Sequence, residues 1–256
     1  MAQLTDIAAI RATLRADPAW AVYALGDLSP DLFPQTQWFV PDLALVLKEY
    51  GTCILWAAGC GALEEALAHV IWPVHLQVRP DALDVIERHA CITRRLRMVR
   101  MVLASAGAPT GGPATAWGAS SIRVRRLTAD DVPALGALYA DGDATGEGPD
   151  FFMPSMVDTG VFCGVEEHGD LVAVAGTHLV SREEGVAAIG NVYTRRDRRG
   201  RGYSTAATRA VLGALAGVEV IGLNVRADNA PALHVYQSLG FVPHVEFYEA
   251  LATGPR

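Results

Sequence analysis

An α/β fold with a mixed sheet in each half of the chain follows from three observations. Apolar, strand-like runs alternate with helical apolar periodicity along most of the sequence. A stretch of small residues, Pro and Gly at 105–121, almost uncharged, separates two halves that each show this alternation. In the second half an apolar strand breaks into Arg195-Arg196-Asp197-Arg198-Arg199-Gly200-Arg201-Gly202, and this loop opens directly into an Ala-rich helix. The expected organisation is an α/β domain over 1–104, a linker over 105–121 and a second α/β domain over 122–256.

The elements follow in order. Helical spacing runs over about 4–16 and 18–26, then strand-like runs over 36–40, 43–49 and 52–58. After Gly59-Cys60-Gly61 come a helix at 62–70, a strand at 74–79, a helix at 81–89 and a strand at 92–103. The second half opens with Ile122 to Leu127, which alternates like a half-buried strand. Thr128 caps a helix running to about Tyr139, with Asp130 and Asp131 in its first turn. Strands follow at about 161–167, 170–181 and 186–194. Beyond the loop, Tyr203, Ala207, Ala210, Val211 and Ala214 recur at helical spacing. A strand at 218–226 then leads to Asp228 or Asn229 as a cap, Pro231 in a first turn, and Gly240 as a stop. Terminal strands are expected near 241–251.

Composition excludes several classes. Asp6, Arg11 and Arg15 interrupt any N-terminal apolar run, and Cys53 to Leu63 is too short for the ~20 residues of a membrane helix. A cytoplasmic protein without a membrane partner is expected. Cys53, Cys60, Cys91 and Cys163 show no Cys-x-x-Cys spacing, which favours free thiols over disulfides or a metal centre. The net charge of −7 speaks against a nucleic-acid partner despite the arginine cluster.

A glycine loop at a helix N-terminus presents unpaired backbone N–H groups at the positive end of the helix dipole, which suits phosphate. No Gly-Lys-Ser/Thr follows the glycines, and the third glycine of Gly-x-Gly-x-x-Gly is missing, since Thr205 stands in its place. Downstream lies Asn229-Ala230-Pro231-Ala232-Leu233-His234-Val235-Tyr236-Gln237-Ser238-Leu239-Gly240-Phe241. The Arg-Gly-x-Gly loop and this Asn…Ala…Tyr…Gly-Phe helix, in this order, resemble the GNAT superfamily of acyl-CoA-dependent N-acyltransferases over about 122–251. They are similar also to its glycine N-acyltransferase-like branch. Asp197 stands where the family's loop opens with Gln or Arg.

The resemblance implies acetyl-CoA as cosubstrate and no metal. It implies that the strand backbone of Val192, Tyr193 and Thr194 holds the pantetheine arm. The backbone of Arg199, Gly200, Arg201, Gly202, Tyr203 and Ser204 would cradle the pyrophosphate, with Arg195, Arg196 or Arg201 near the 3′-phosphate. Asn229 would contact the cofactor, and Tyr236 would stand by the sulfur as general acid. His178, on the strand beside the pantetheine strand, has the ordinary pKa of a base at neutral pH. Amine deprotonation through water, with Asn191 positioning it, is the alternative.

The first half reads as a diverged copy of the same unit, a tandem arrangement. Leu76-Gln77-Val78-Arg79-Pro80-Asp81 echoes Leu223-Asn224-Val225-Arg226-Ala227-Asp228. Its Gly59–Gly61 loop lacks arginines, so this copy is expected not to bind CoA. Ten acidic residues between Asp141 and Glu184 face one arginine, Arg182, near Phe151, Phe152 and Met153. An acidic, aromatic rim of this kind favours a cationic amine acceptor, small molecule or peptide. The enzyme is expected as a monomer or homodimer. A longer-chain acyl-CoA N-acyltransferase and a non-catalytic acyl-CoA sensor are the alternatives.

Overall fold

The computed structural model describes residues 3–49, 51–104, 122–143, 145–149 and 151–256. The expected linker at 105–121 therefore lies outside the described residues, as does Asp150. The elements in order are β1 (Gln3–Leu4), α1 (Ile7–Leu14), α2 (Val22–Gly26), β2 (Thr36–Phe39), β3 (Ala44–Glu49), β4 (Thr52–Ala57), α3 (Leu63–Leu67), β5 (Val74–Val78), α4 (Pro80–His89) and β6 (Ala90–Leu103). The second half continues with β7 (Ile122–Arg126), α5 (Val132–Asp143), α6 (Met156–Thr159), β8 (Cys163–Glu167), β9 (Asp170–Ser181), β10 (Val186–Thr194), α7 (Tyr203–Ala214), β11 (Val220–Arg226), α8 (Ala230–Ser238) and β12 (Phe241–Pro255). The fold is the α/β class with mixed sheets that the periodicity predicts.

Side-chain caps explain two of the helix starts. The Asp6 carboxylate accepts from the Ala8 and Ala9 N–H groups and starts α1. Asp131 accepts from the Thr128 N–H at 2.9 Å, and a 3-10 turn over Ala129–Asp131 precedes α5. The helix therefore begins later and ends later than the sequence indicates. A single strand, β12, replaces the terminal strands expected over 241–251. No Gly or Asn lies between Val242 and Thr253 to reverse the chain, and the exposed Pro243 does not break it.

The described residues group into two compact units. One comprises Met1–Met101, Asn224–Ala230 and Pro243–Arg256; the other comprises Val102–Leu223 and Pro231–Val242. In the first unit the strand order is β1-β2-β3-β4-β5-β12-β6. β4 and β5 run parallel, joined by α3, and β12 pairs antiparallel with β5 from Tyr248↔Val78 to Ala252↔Val74. Leu55, Leu63, Leu76, Leu83 and Ile86 are buried in its core, together with Ala250 and Ala252 of β12.

A fully buried cation organises the other side of this unit. Arg100 donates to Asn224 Oδ1 at 2.6 Å and to the carbonyls of Trp20 and Ala19 at 3.0 and 3.2 Å. Its guanidinium lies 4.8 Å from the Tyr23 ring centroid, 5.3 Å from that of Trp20 and 5.4 Å from that of Phe247. Burial pushes its pKa down to about 10, still well above neutrality. Asn224 passes the contact on by donating to Glu249 at 2.9 Å.

The second unit orders its strands β11-β10-β9-β8-β7, and β10 and β11 are its parallel pair, joined by α7. Leu135, Leu138 and Tyr139 of α5 pack with Phe162, Val174 and Tyr193 in a core cluster. Because two carbonyls and Asn224 depend on Arg100, Arg100→Ala should cost ~3–5 kcal/mol, the usual penalty for breaking a buried charged network. Denaturant unfolding of the two proteins measures it; a loss under ~1 kcal/mol would show that water replaces the guanidinium freely.

Candidate active site

The site is built on β10. Val186 to Ile189 are all buried, as expected of a central strand with both faces covered. Their parallel ladder with β11 runs from Val186↔Val220 to Ile189↔Leu223 and ends there, although β10 continues to Thr194. The strands part at this point, and the backbone of Gly190 to Thr194 is left without a ladder on the β11 side. The buried Thr194 hydroxyl likewise has no partner among the described residues.

On its other side β10 pairs with β9 through two irregularities. Ala188 faces Leu179 and Ile189 faces Thr177, so His178 is an extra residue in β9. Gly190 faces Gly176 and Tyr193 faces Val174, so Asn191 and Val192 together oppose Ala175. These two bulges cancel in register. Asn191 takes a left-handed conformation at φ +54°, which Asn tolerates better than most residues. The Tyr139 hydroxyl donates to its carbonyl at 2.9 Å.

The loop that follows has the geometry of an anion cradle. Gly200 and Gly202 have φ of +76° and +79°, and a Cβ at either would meet nothing within 4 Å. Gly202 is the N-cap of α7 and has no side chain to satisfy the first-turn amides. Those amides lie at the positive end of the dipole of a twelve-residue helix.

The arginines of the loop are paired with carboxylates. Arg198 and Arg201 both bond Glu167, which also accepts from the Tyr203 hydroxyl at 2.9 Å. Arg199 makes a two-pronged pair with Glu147 at 3.1 Å, and its guanidinium lies 5.7 Å from the Tyr193 ring centroid. Asp141 accepts from the Tyr193 hydroxyl at 2.8 Å and from the Arg196 N–H at 2.9 Å. Arg195 pairs with Asp197 at 2.8 Å. The position that departs from the family's pattern thus anchors a neighbouring arginine. Hydrogen bonds from these donors hold Glu167, Asp141 and Glu147 below the ordinary carboxylate range.

The same contacts change the meaning of the acidic rim. Of its carboxylates, Asp141, Glu147, Glu166, Glu167 and Asp170 sit beside arginines, Glu166 with Arg125 at 2.7 Å and Asp170 with Arg195 at 3.9 Å. Much of the negative charge read from the sequence is therefore balanced locally.

The remaining predicted residues are found as follows. Val192, Tyr193 and Thr194 end β10, Arg199 to Gly202 form the loop, and Tyr203 and Ser204 open α7, so these nine belong to one continuous stretch of the second unit. Tyr236, on α8 in the same unit, is 8% exposed and packs edge-on against Phe241 at 6.0 Å. Burial alone pushes its phenol up to about 12. Asn229 is exposed in the turn before α8, its N–H bonded to the Arg226 carbonyl at 3.0 Å, and it groups with the first unit. His178 lies against Gly190, where a Cβ would come within 2.2 Å of its Nε2. Burial pushes its pKa down to about 4, so the imidazole is neutral at physiological pH.

Sequence reasoning missed Tyr139, Glu167, Asp141 and Glu147 as organisers of the site. None carries a local motif, and only the register of distant elements brings them to β10. In the first unit, the Gly59–Gly61 loop is filled from within. Asp42 Oδ2 accepts from the Gly61 N–H at 2.9 Å, and a Cβ at Gly59 or Gly61 would approach the Asp42 side chain to 2.9 or 2.8 Å.

Carboxylates with lowered pKa stabilise above their unfolded pKa, near 4, and lose that contribution as pH falls through the folded value. The loop should accordingly be tight at neutral pH and loosen in acid. Glu167→Gln should reproduce the loosening at neutral pH, read as faster tryptic cleavage after Arg198, Arg199 or Arg201. Unchanged cleavage would show that Glu167 does not hold the loop.

Residues 134–241 match the acetyltransferase (GNAT) family. A putative GNAT acetyltransferase from Novosphingobium aromaticivorans is 23% identical, with a TM-score of 0.57 over 84% of this chain and 89% of that one. A GCN5-related N-acetyltransferase from Kribbella flavida is 18% identical, with a TM-score of 0.60 over 92% and 94%. A tandem GNAT protein from the clavulanic acid biosynthesis pathway is 14% identical, with a TM-score of 0.56 over 99% and 97%. These structures share the fold. No curated protein matches the sequence. The matched span runs from α5 to the start of β12 and holds the parted strands, the glycine loop and Tyr236.

Proposed function

We propose that this chain transfers an acyl group, an acetyl group in the first instance, from acyl-CoA to a primary amine, and that the second unit is the catalytic one. The observation that carries the reading is the open Gly200–Gly202 cradle at the start of α7, beside a strand whose ladder ends at Ile189. The residues fit the group: glycines that no side chain fills, an orphaned Thr194 hydroxyl and a buried Tyr236 phenol. When bound, the thioester supplies an activated carbonyl and a thiolate leaving group.

The amine nitrogen forms a bond to the acyl carbon as the carbon–sulfur bond breaks. Backbone groups of Val192 to Thr194 hold the pantetheine arm, and the amides of Arg199 to Ser204 hold the pyrophosphate. His178, neutral at working pH, accepts the proton that the amine loses. Tyr236, held protonated up to that step by its raised pKa, donates its proton to the departing sulfur, and the proton taken up by His178 restores the phenol through solvent. The acceptor is a small-molecule or peptide amine. With the nearby carboxylates already paired to arginines, attraction of a cationic acceptor rests on the remaining ones, such as Asp143 and Asp158. The first unit is a second GNAT-like copy whose loop Asp42 occupies, so that CoA binds only to the second unit.

Two experiments test this. Acetyl-CoA should raise the melting temperature of the protein, as any native-state ligand does. Gly202→Asp, which puts a carboxylate where phosphate should sit, should abolish the rise; a rise of the same size in the variant would remove the assigned cradle. Tyr236→Phe keeps the ring and removes the donor, so CoA affinity should hold while turnover on an amine acceptor falls by ~10²–10⁴-fold. Turnover at the wild-type rate would assign the acid to another group. A wild-type protein that binds acetyl-CoA but acetylates nothing across a wide amine panel would be a sensor.

A further inference from the structure

We propose that the donor site does not read the 3′-phosphate of CoA, so that it takes acyl thioesters of dephospho-CoA as tightly as those of CoA. The inference rests on the reading of the second unit as an acyl-CoA-dependent transferase, and concerns which part of the donor its residues grip.

Its basis is the balance of charge in the loop that leads into α7. Arg195, Arg196, Arg198, Arg199 and Arg201 each have a carboxylate within 3.5 Å. Their partners are equally numerous: Asp141, Glu147, Glu167, Asp170 and Asp197. Several of these contacts are multiple. Arg199 meets both oxygens of Glu147 at 3.1 Å, donates from Nε to the Thr194 carbonyl at 3.3 Å and lies over the Tyr193 ring. Arg198 bonds Glu167 and also Asp197, the latter at 2.6 Å. Arg195 meets Asp197 at 2.8 Å and Asp170 at 3.9 Å. The Glu167 side chain, which anchors both Arg198 and Arg201, is only 10% exposed. All of these groups belong to the second unit.

A ribose 3′-phosphate carries about −1.5 to −2 charges at neutral pH. Pairing spares these arginines some rotamer entropy, yet the charge they would offer is already balanced. An arginine that turned to the 3′-phosphate would leave its carboxylate beside a second anion, and the repulsion offsets the new contact. What remains is the attraction of a neutral patch, in a chain of net charge −7. The pyrophosphate differs, because on the same reading backbone amides hold it, and an amide brings no counter-charge of its own. Other arginines of the unit are placed elsewhere. Arg182 precedes β10 at the end opposite the loop and bonds the Ala214 carbonyl at 3.3 Å, and Arg123 shares a face of the β7–β8 pair with Glu166 rather than Glu167.

Calorimetric titration of the full chain with acetyl-CoA, acetyl-dephospho-CoA and acetyl-pantetheine tests this. The first two should agree in Kd within ~5-fold, the span of an exposed ion pair. Acetyl-pantetheine, which lacks every phosphate, should bind ~10²-fold more weakly or worse. A larger preference for acetyl-CoA over acetyl-dephospho-CoA, with acetyl-pantetheine weak, overturns the inference and leaves the cradle in place. Equal binding of all three, or binding of none, removes the cradle itself and the inference with it. Releasing an arginine tests the cause. Glu147→Gln frees Arg199, and Glu167→Gln frees Arg201 while leaving Arg198 to Asp197. In at least one variant the ratio of the two affinities should move toward acetyl-CoA by ~10-fold, as a charged hydrogen bond becomes available. Both ligands meet the same altered loop, so a general loosening cancels in that ratio. A ratio unchanged in both variants overturns charge balance as the reason the 3′-phosphate goes unread.

Discussion

The second unit depends on a constraint of backbone hydrogen bonding. A central strand buried on both faces must find partners for its N–H and C=O groups on both edges. β10 does so fully only as far as Ile189, where its parallel ladder with β11 stops. Beyond that point three contacts from α5 and its C-terminal turn hold the strand in place. Tyr139 bonds the Asn191 carbonyl, and Asp141 bonds both the Tyr193 hydroxyl and the Arg196 amide. Tyr193 itself fits only because Gly142 has no Cβ, which would meet the ring at 2.8 Å. The parted segment is thus rigid on the β9 and helix sides while its β11 side stays available to an extended ligand. A slot for a pantetheine-like chain needs this combination, since a flexible strand would lose entropy on binding.

Charge follows the same logic at the loop. An arginine left to solvent must give up rotamer freedom when it meets a phosphate, whereas one already held by a carboxylate has less to lose. Glu167 holds Arg198, Arg201 and Tyr203 together, and Glu147 holds Arg199. The pairing also lowers the net positive field, which a long polyanion would need and a single pyrophosphate gripped by backbone amides does not. The arginines shape the loop, and on the proposed reading the amides of the α7 first turn would hold the pyrophosphate.

How much of this was legible in the sequence differs element by element. The strand-loop-helix of 186–214 was, because an apolar run, two glycines and an Ala-rich periodic segment are local signals. The same holds for Tyr236 and Gly240, which a helix of fixed length spaces apart. The bulges were not: His178 and Asn191 sit in ordinary-looking strands, and only the register between β9 and β10 makes them extra residues. The acidic run from Asp141 to Glu184 was visible as composition but misleading as a field, since Arg125, Arg195, Arg196, Arg198, Arg199 and Arg201 lie beside five of its members. Periodicity cannot show that a strand beginning at Phe241 packs from Pro243 onward with the first unit, nor that Asn224 meets Arg100. Those are pairings across more than a hundred residues of sequence, set by the final packing alone.

The two glycine loops show why spacing alone is a weak guide to ligand. Each follows a strand, each precedes a helix, and each helix leads to a strand parallel to the first. At Gly59–Gly61 the missing Cβ atoms make room for Asp42, whose carboxylate takes the Gly61 amide. At Gly200–Gly202 the missing Cβ atoms face nothing, and both glycines hold the positive φ that turns successive amides outward. The first loop has an internal anion, so any phosphate must displace a covalently tethered competitor of very high effective concentration. In the second, the carboxylates bind the arginine side chains, and the amide that Asp141 takes is that of Arg196, ahead of the glycines. The same Gly-x-Gly spacing therefore yields a closed loop or an open one according to which side chain the neighbouring strand places opposite it: Asp42 after β2 in one unit, and none in the other.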